Sequence, residues 1–183
     1  MGNAVCGLAG RRTMFLDIHD LERNAKEFAE RYSPGQMDYG SGIRQVGMLD
    51  TEGAAELLGG EIHLIGSLST TVETDCDRCL EPTRFPVAVD FDLYYRPVKS
   101  IAREEEIELK PSELEIGFYY GNGLQLEDAL KEQVLLALPI KNICRPDCAG
   151  LCPQCGQNRN VAKCACQPVT LDARWEQLAK LKK

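Results

Sequence analysis

Ile62-His-Leu-Ile-Gly-Ser-Leu-Ser-Thr-Thr-Val-Glu-Thr-Asp-Cys76-Asp-Arg-Cys79 decides how this chain is built. Ile62, Leu64, Gly66, Leu68, Thr70, Val72, Thr74 and Cys76 occupy every second position, so they share one face of a strand. After the Cys-x-x-Cys turn, Phe85, Val87, Val89, Phe91, Leu93 and Tyr95 repeat the alternation. Two alternating runs joined by a short turn predict a long antiparallel hairpin, with Cys76 and Cys79 at its tip.

Toward the N-terminus, Met14, Leu16 and Ile18 alternate as in a short strand. Leu21, Ala25, Phe28, Ala29 and Tyr32 recur at helical spacing, with Asp20 as a cap and Ser33-Pro34-Gly35 as a stop. That pattern predicts a helix over 20–32. Ile43 to Leu49 and Ala55 to Leu58 add further strand material. Toward the C-terminus, residues 97–113 carry Arg-Glu-Glu-Glu-Ile-Glu between two prolines and read as a solvated acidic linker. Leu114 to Tyr120 returns as a strand. Leu126, Ala129, Leu130, Gln133, Val134, Ala137 and Leu138 form a helical stripe that Pro139 ends, with Glu127 and Asp128 favourable in the first turn. A last short helix is expected from about Thr170, carrying Leu171, Trp175 and Leu178 on one side.

The predicted class is therefore α+β: an antiparallel sheet with flanking helices and a C-terminal cysteine-rich module. The expected divisions are a disordered extension (1–13), a sheet-and-helix core (14–96), the acidic linker (97–113), a strand and helix packed on the core (114–143), and the module with its basic tail (144–183).

That module holds six cysteines between 144 and 166, with Leu151 and Val161 as its only large aliphatics in that span. So little apolar area cannot offset the backbone entropy of ordering it, roughly 1–2 kcal/mol per residue. Zinc–thiolate bonding can, with apparent binding energies of about 10–16 kcal/mol. Cys152-Pro-Gln-Cys155-Gly156 has knuckle spacing, and Gly156 tolerates the positive φ of such a turn. Cys76-Asp-Arg-Cys79 has the same spacing. The preferred pairing gives two Zn2+ sites, Cys76, Cys79, Cys144 and Cys148 in one, Cys152, Cys155, Cys164 and Cys166 in the other. The spacing also admits a mixed arrangement, or one site with spare thiols. An iron–sulfur cluster fits less well, since the spacings are not those of ferredoxin runs. A disulfide centre fits poorly too, because Cys76 ends a strand instead of starting a helix.

With 183 residues, 44% hydrophobic and 27% charged, the chain has the composition of a globular protein with a real core. No apolar run reaches bilayer length, and residues 1–13 contain no apolar signal core. Nine cysteines in that setting point to reduced thiols and metal, and to the cytoplasm. The only histidines are His19 and His63, and no nucleophile elbow, phosphate loop or His-Glu-x-x-His occurs, so an enzyme is not expected. His63 reads as a solvated residue on the outer face of its strand.

Charge is uneven. Residues 1–140 carry 13 Lys/Arg against 25 Asp/Glu, and residues 141–183 carry 8 against 3. Arg145, Arg159, Lys163, Arg174, Lys180, Lys182 and Lys183 are the candidate RNA contacts, with Asn158 and Asn160 beside the knuckle either reading bases or capping backbone groups. Each zinc on four thiolates is formally −2, which offsets much of that basic excess.

Gly66-Ser-Leu-Ser-Thr-Thr-Val72 leading into Cys76-Asp-Arg-Cys79-Leu-Glu-Pro82 resembles the YceD-type family of large-ribosomal-subunit RNA accumulation proteins. So do the Glu-Gln-Val-Leu-Leu-Ala-Leu-Pro139 helix end and the cysteine tail, and the similarity covers about residues 14–178. The chain departs from the family pattern by its extra N-terminal residues and by Gln125, where an acidic helix cap is commoner. The resemblance implies a factor supporting accumulation of large-subunit ribosomal RNA. Its expected partners are that RNA or a pre-ribosomal particle, or a ribosomal protein, with no membrane and no small-molecule substrate. It also implies that the tail metal stabilises structure, because some members lack much of the tail. An alternative function is an adaptor whose acidic part grips a basic ribosomal protein without touching RNA.

Overall fold

The computed structural model describes residues 13–40, 42–98 and 116–166. The predicted hairpin is its spine. Strands β5 (Glu61–Asp75) and β6 (Pro82–Pro97) pair antiparallel from Ile62↔Tyr95 to Asp75↔Pro82 without a break. Among the described residues, six further strands and two helices surround it in chain order: β1 (Phe15–Asp17), α1 (Ile18–Leu21), β2 (Lys26–Tyr32), β3 (Arg44–Gln45), β4 (Leu49–Leu58), β7 (Ile116–Tyr119) and, after it, β8 (Gly123–Gln125) leading into α2 (Leu126–Ala137). The main sheet runs β2-β4-β5-β6-β7, with β3 alongside the far end of β5, and β1 pairs with β8 in a separate ribbon.

Two expectations are corrected. The helix over 20–32 is only the single turn α1; residues 26–32 are a strand pairing with β4 from Lys26↔Ala55 to Tyr32↔Leu49. Phe28 and Tyr32, four residues apart, satisfy a helical stripe and an alternating strand equally well, and the ladder offered by β4 decides between them. Both are buried. The sheet is also mixed and not purely antiparallel, because β7 lies parallel to β6. Strand material expected over 43–49 and 55–58 is β3 and a longer β4, separated by a bulge in which the amides of Val46 and Gly47 both donate to the Thr71 carbonyl. The strand expected over 114–120 is β7, and the helix expected from 126 is α2. Most of the acidic linker, most of the N-terminal extension and the helix from Thr170 lie outside the described residues.

One face of the sheet is buried and one is open. Ile62, Leu64, Leu68 and Val72 of β5 point inward with Val87, Phe91 and Tyr95 of β6. Over them pack Leu126, Ala129, Leu130 and Val134 of α2, together with Leu16, Leu21, Met37 and Tyr39. Gln125 caps α2 in position but makes no side-chain capping bond. The start of α2 is held differently. Glu127 is buried, and its Oε1 accepts from the Met14 amide (2.8 Å) and the Tyr32 hydroxyl (3.1 Å), tying β2 and the residue ahead of β1 to the helix.

Across the inner face runs the row Phe28–Gly53–Gly66–Phe91. A Cβ on Gly66 would run into the Glu52 carbonyl oxygen and lie 3.0 Å from the Phe91 ring. Only glycine lets β4 and β5 approach this closely beneath the two rings. Gly66→Ala is expected to lower unfolding free energy by about 1–3 kcal/mol in denaturant titration; unchanged stability would show that the row can spread.

Candidate metal centre

The hairpin tip, residues 76–81, is fixed by its own backbone: Cys76 N–H donates to the Glu81 carbonyl and Leu80 N–H to that of Cys76, both at 2.9 Å. Leu80 adopts a φ of 60°, an unusual conformation for a branched side chain, and it completes the turn that brings Cys79 back beside Cys76. Chain leaving α2 is then stitched onto this tip. Asp77 and Asn142 exchange bonds, Asp77 N–H to the Asn142 carbonyl (2.8 Å) and Asn142 N–H to Asp77 Oδ2 (2.9 Å). Arg78 accepts at its carbonyl from Leu151 N–H (2.8 Å) and donates through Nη1 to the Cys148 carbonyl (3.0 Å). Gly150, at φ +69°, lies so close to the Arg78 carbonyl that a Cβ would come within 2.9 Å of it.

These contacts bring eight cysteines together in two groups, each with its sulfurs within 4.8 Å of one another: Cys76, Cys79, Cys144 and Cys148, then Cys152, Cys155, Cys164 and Cys166. All eight are free thiols. Sulfur–sulfur separations of 4.0 Å (Cys76–Cys148) and 3.7 Å (Cys79–Cys144) are far beyond a disulfide bond. They match the edge of about 3.8 Å in a tetrahedron with metal–sulfur bonds of about 2.3 Å. Either group could hold a metal ion. The second is closed by Cys152 N–H to the Gln157 carbonyl (2.8 Å) and Gly156 N–H to the Cys152 carbonyl (2.9 Å), with Gly156 at φ +72°.

Electrostatics favour the anionic form at three of the sulfurs, Cys76, Cys148 and Cys152, and oppose it at Cys79, Cys144 and Cys166. Burial raises the Cys76 thiol, but amide N–H groups of Cys144, Arg78 and Cys79 outweigh it and hold the pKa down to about 6. The amides of Cys155 and Gln154 do the same for Cys152, also to about 6. The Asn160 side chain lowers Cys148. Cys144 is pushed up to about 12 by burial of the thiol and by its sulfur neighbours, since one cavity cannot carry four bare thiolates. A divalent cation removes that conflict.

Of the candidate RNA contacts, Arg145 donates to Asn160 Oδ1 (3.0 Å) and pairs with Asp147, while Arg159 directs Nη2 at Cys152 Sγ (3.7 Å). Lys163 is exposed. Arg174, Lys180, Lys182 and Lys183 lie outside the described residues. The side-chain oxygens of Asn158 and Asn160 accept from the backbone amides of Asn160 and Ala149, the contacts the capping reading expects.

His63 departs from its expected solvated state. It is 9% exposed, its ring nitrogens contact Glu56 (3.1 Å) and Asp92 (2.7 Å), and it stacks on Tyr94 at 4.5 Å. These are its cross-strand neighbours in β4 and β6, recognisable only once register is known. No described helix is long and apolar enough to cross a membrane.

The family model described as large ribosomal RNA subunit accumulation protein YceD matches residues 64–182. An uncharacterized protein of Mycobacterium tuberculosis is 32% identical over 144 residues, covering 76% of this chain and 64% of that protein. An Arabidopsis thaliana protein named large ribosomal RNA subunit accumulation protein YCED homolog 1, chloroplastic, is 26% identical over 151 residues, covering 67% of this chain and 44% of that protein. The chain thus spans less than two thirds of these curated relatives' own lengths. No solved structure matches it significantly.

Burial works to lower the His63 pKa, but the bonds to Asp92 and Glu56 outweigh it, so the net shift is upward from 6.5. Folding therefore favours the protonated ring. This contribution is fully present below pH 6.5 and is lost as pH rises through the folded value. The stability difference between wild type and His63→Gln should shrink across that rise in denaturant titrations; a constant difference would refute the assignment.

Proposed function

The chain belongs to the YceD family of large ribosomal RNA subunit accumulation proteins, and on that premise we propose that it is a cytoplasmic ribosome-biogenesis factor supporting accumulation of large-subunit ribosomal RNA. In this reading it binds that RNA or a pre-ribosomal particle and is not an enzyme. Two Zn2+ ions, one in each cysteine group, serve as structural closure. Convergence of the sulfurs to tetrahedral spacing is the observation that supports the metal. Zn2+ suits four thiolates without redox chemistry, and a site with all four positions filled by cysteine has no place for a substrate water.

Binding charge must then come from outside the knuckles. Arg145 and Arg159 already serve the thiolate loops, and two zinc–tetrathiolate centres bring formal negative charge. The RNA contacts of this proposal are therefore the tail cations Arg174, Lys180, Lys182 and Lys183, with the exposed Lys163 as the one knuckle cation added to them.

The open face of the sheet favours a second reading. Cross-strand rows Glu27–Ala54–Ile65–Asp92 and Ala29–Glu52–Ser67–Asp90 place exposed carboxylates around small residues and the exposed Ile65. Among the described residues, Glu27, Glu52 and Asp90 have no cationic partner. Such a face repels RNA and suits a basic ribosomal protein, which is the adaptor function.

Purified full-length chain should carry two zinc per molecule, and Cys79→Ala about one, by elemental analysis; two retained in that variant would break the first site. Co-sedimentation on gradients should place the protein with immature large subunits at low salt and release it at high salt. Protein confined to the top of the gradient would instead support the adaptor. With protein-free ribosomal RNA, replacing Lys180, Lys182 and Lys183 by Gln should reduce the salt slope by about 2.

A further inference from the structure

Asn160 lies between Cys155 and Cys164, inside the loop that the second cysteine group closes, yet its side chain serves the first group. Its Nδ2 donates to Cys148 Sγ at 3.3 Å, while its Oδ1 accepts from Ala149 N–H (2.8 Å) and Arg145 Nη2 (3.0 Å). All three partners belong to or flank the first group's C-terminal ligand pair. The position of the amide is set from the second loop: Asn160 N–H donates to Asn158 Oδ1 (2.9 Å), and the amides of Val161 and Ala162 both reach the Asn158 carbonyl (3.1 Å). Asn158 in turn donates to Glu81 Oε1 (3.1 Å), at the end of the hairpin tip.

We propose that Asn160 couples the two metal sites, so that filling of the second site raises the affinity of the first. This rests on the zinc reading above. Closing the second loop on its metal delivers an oriented N–H to the Cys148 thiolate, and such a donor stabilises a ligand sulfur only when it arrives already aimed. With the second site empty, the loop 156–163 keeps hydrogen bonds such as Arg159 N–H to the Gly150 carbonyl (2.9 Å) and Asn158 to Glu81 but has no apolar packing, so the donor loses its fixed aim. Coupling between binding free energies is reciprocal, so emptying the first site weakens the second by the same factor. Asn160 is a positioning residue; it ligates neither metal.

The test uses full-length chain loaded with two equivalents of Zn2+ and titrated with EDTA. Alkylation followed by mass spectrometry reports release of Cys76, Cys79, Cys144 and Cys148 separately from the other four. Asn160→Ala should shift first-site release to about tenfold lower EDTA, in the range found when supporting partners of metal ligands are removed. Asn160→Asp keeps the oxygen acceptor but has no N–H for Cys148, and it should shift release at least as far. Cys164→Ser, which opens the second site, should do the same, and combining it with Asn160→Ala should add nothing. An unmoved first-site midpoint in Asn160→Asp, or shifts that multiply in the double variant, overturns the coupling. A chain that takes up no Zn2+ overturns the metal reading itself, whereas two tightly held ions with no Asn160 effect overturn only the coupling.

Discussion

Uninterrupted pairing of β5 with β6 is the constraint on which the rest depends. Register fixed from Ile62↔Tyr95 to Asp75↔Pro82 leaves six residues for the turn, which forces Cys76 and Cys79 to one end of the hairpin with both thiols buried. The same register turns Leu64, Leu68 and Val72 toward the core and sends Ile65, Ser67 and the acidic residues to the open side. A slip by one residue would exchange the two faces. Burial on the α2 side therefore specifies the cysteine geometry at the tip, a property no local feature of residues 76–81 could secure alone.

Beyond α2 the physics changes. From Lys141 to Cys166 the described chain is short of large apolar residues, and what holds it is backbone hydrogen bonding to the tip plus convergent sulfur. Interleaving of the two cysteine groups with Asn142, Asn158 and Asn160 shows a segment built from polar contacts instead of a core. Arg145 and Arg159, both exposed, also bond within that construction.

Much of this architecture is legible in the residues themselves. Alternation over 62–76 and 85–95 locates the hairpin because both strands have one dry and one wet face. Cysteine spacing points to the two groups that the fold assembles, and the stripe from Leu126 locates α2. Over 20–32 the periodicity misleads, because Phe28 and Tyr32 fit both periods and only the neighbouring β4 ladder distinguishes them. The parallel placement of β7 has no local signature. Nor has the Glu56–His63–Asp92 contact: three residues on three strands become neighbours through register, and a histidine between two hydrophobic residues gives no sign of carboxylate partners.

The cysteine cluster at the hairpin tip also imposes an order in time. Cys76 and Cys79 meet partners 65 to 72 residues further along the chain, a long loop whose closure entropy must be met before those contacts return anything. During synthesis the β4–β5–β6 meander emerges complete while its tip still lacks Cys144 and Cys148. Two reduced thiols then stand at the end of a formed hairpin until α2 and the segment after it have been made. The nascent chain thus passes through an interval in which half of a ligand set is arranged but unsealed, and arrival of the chain beyond α2 ends it.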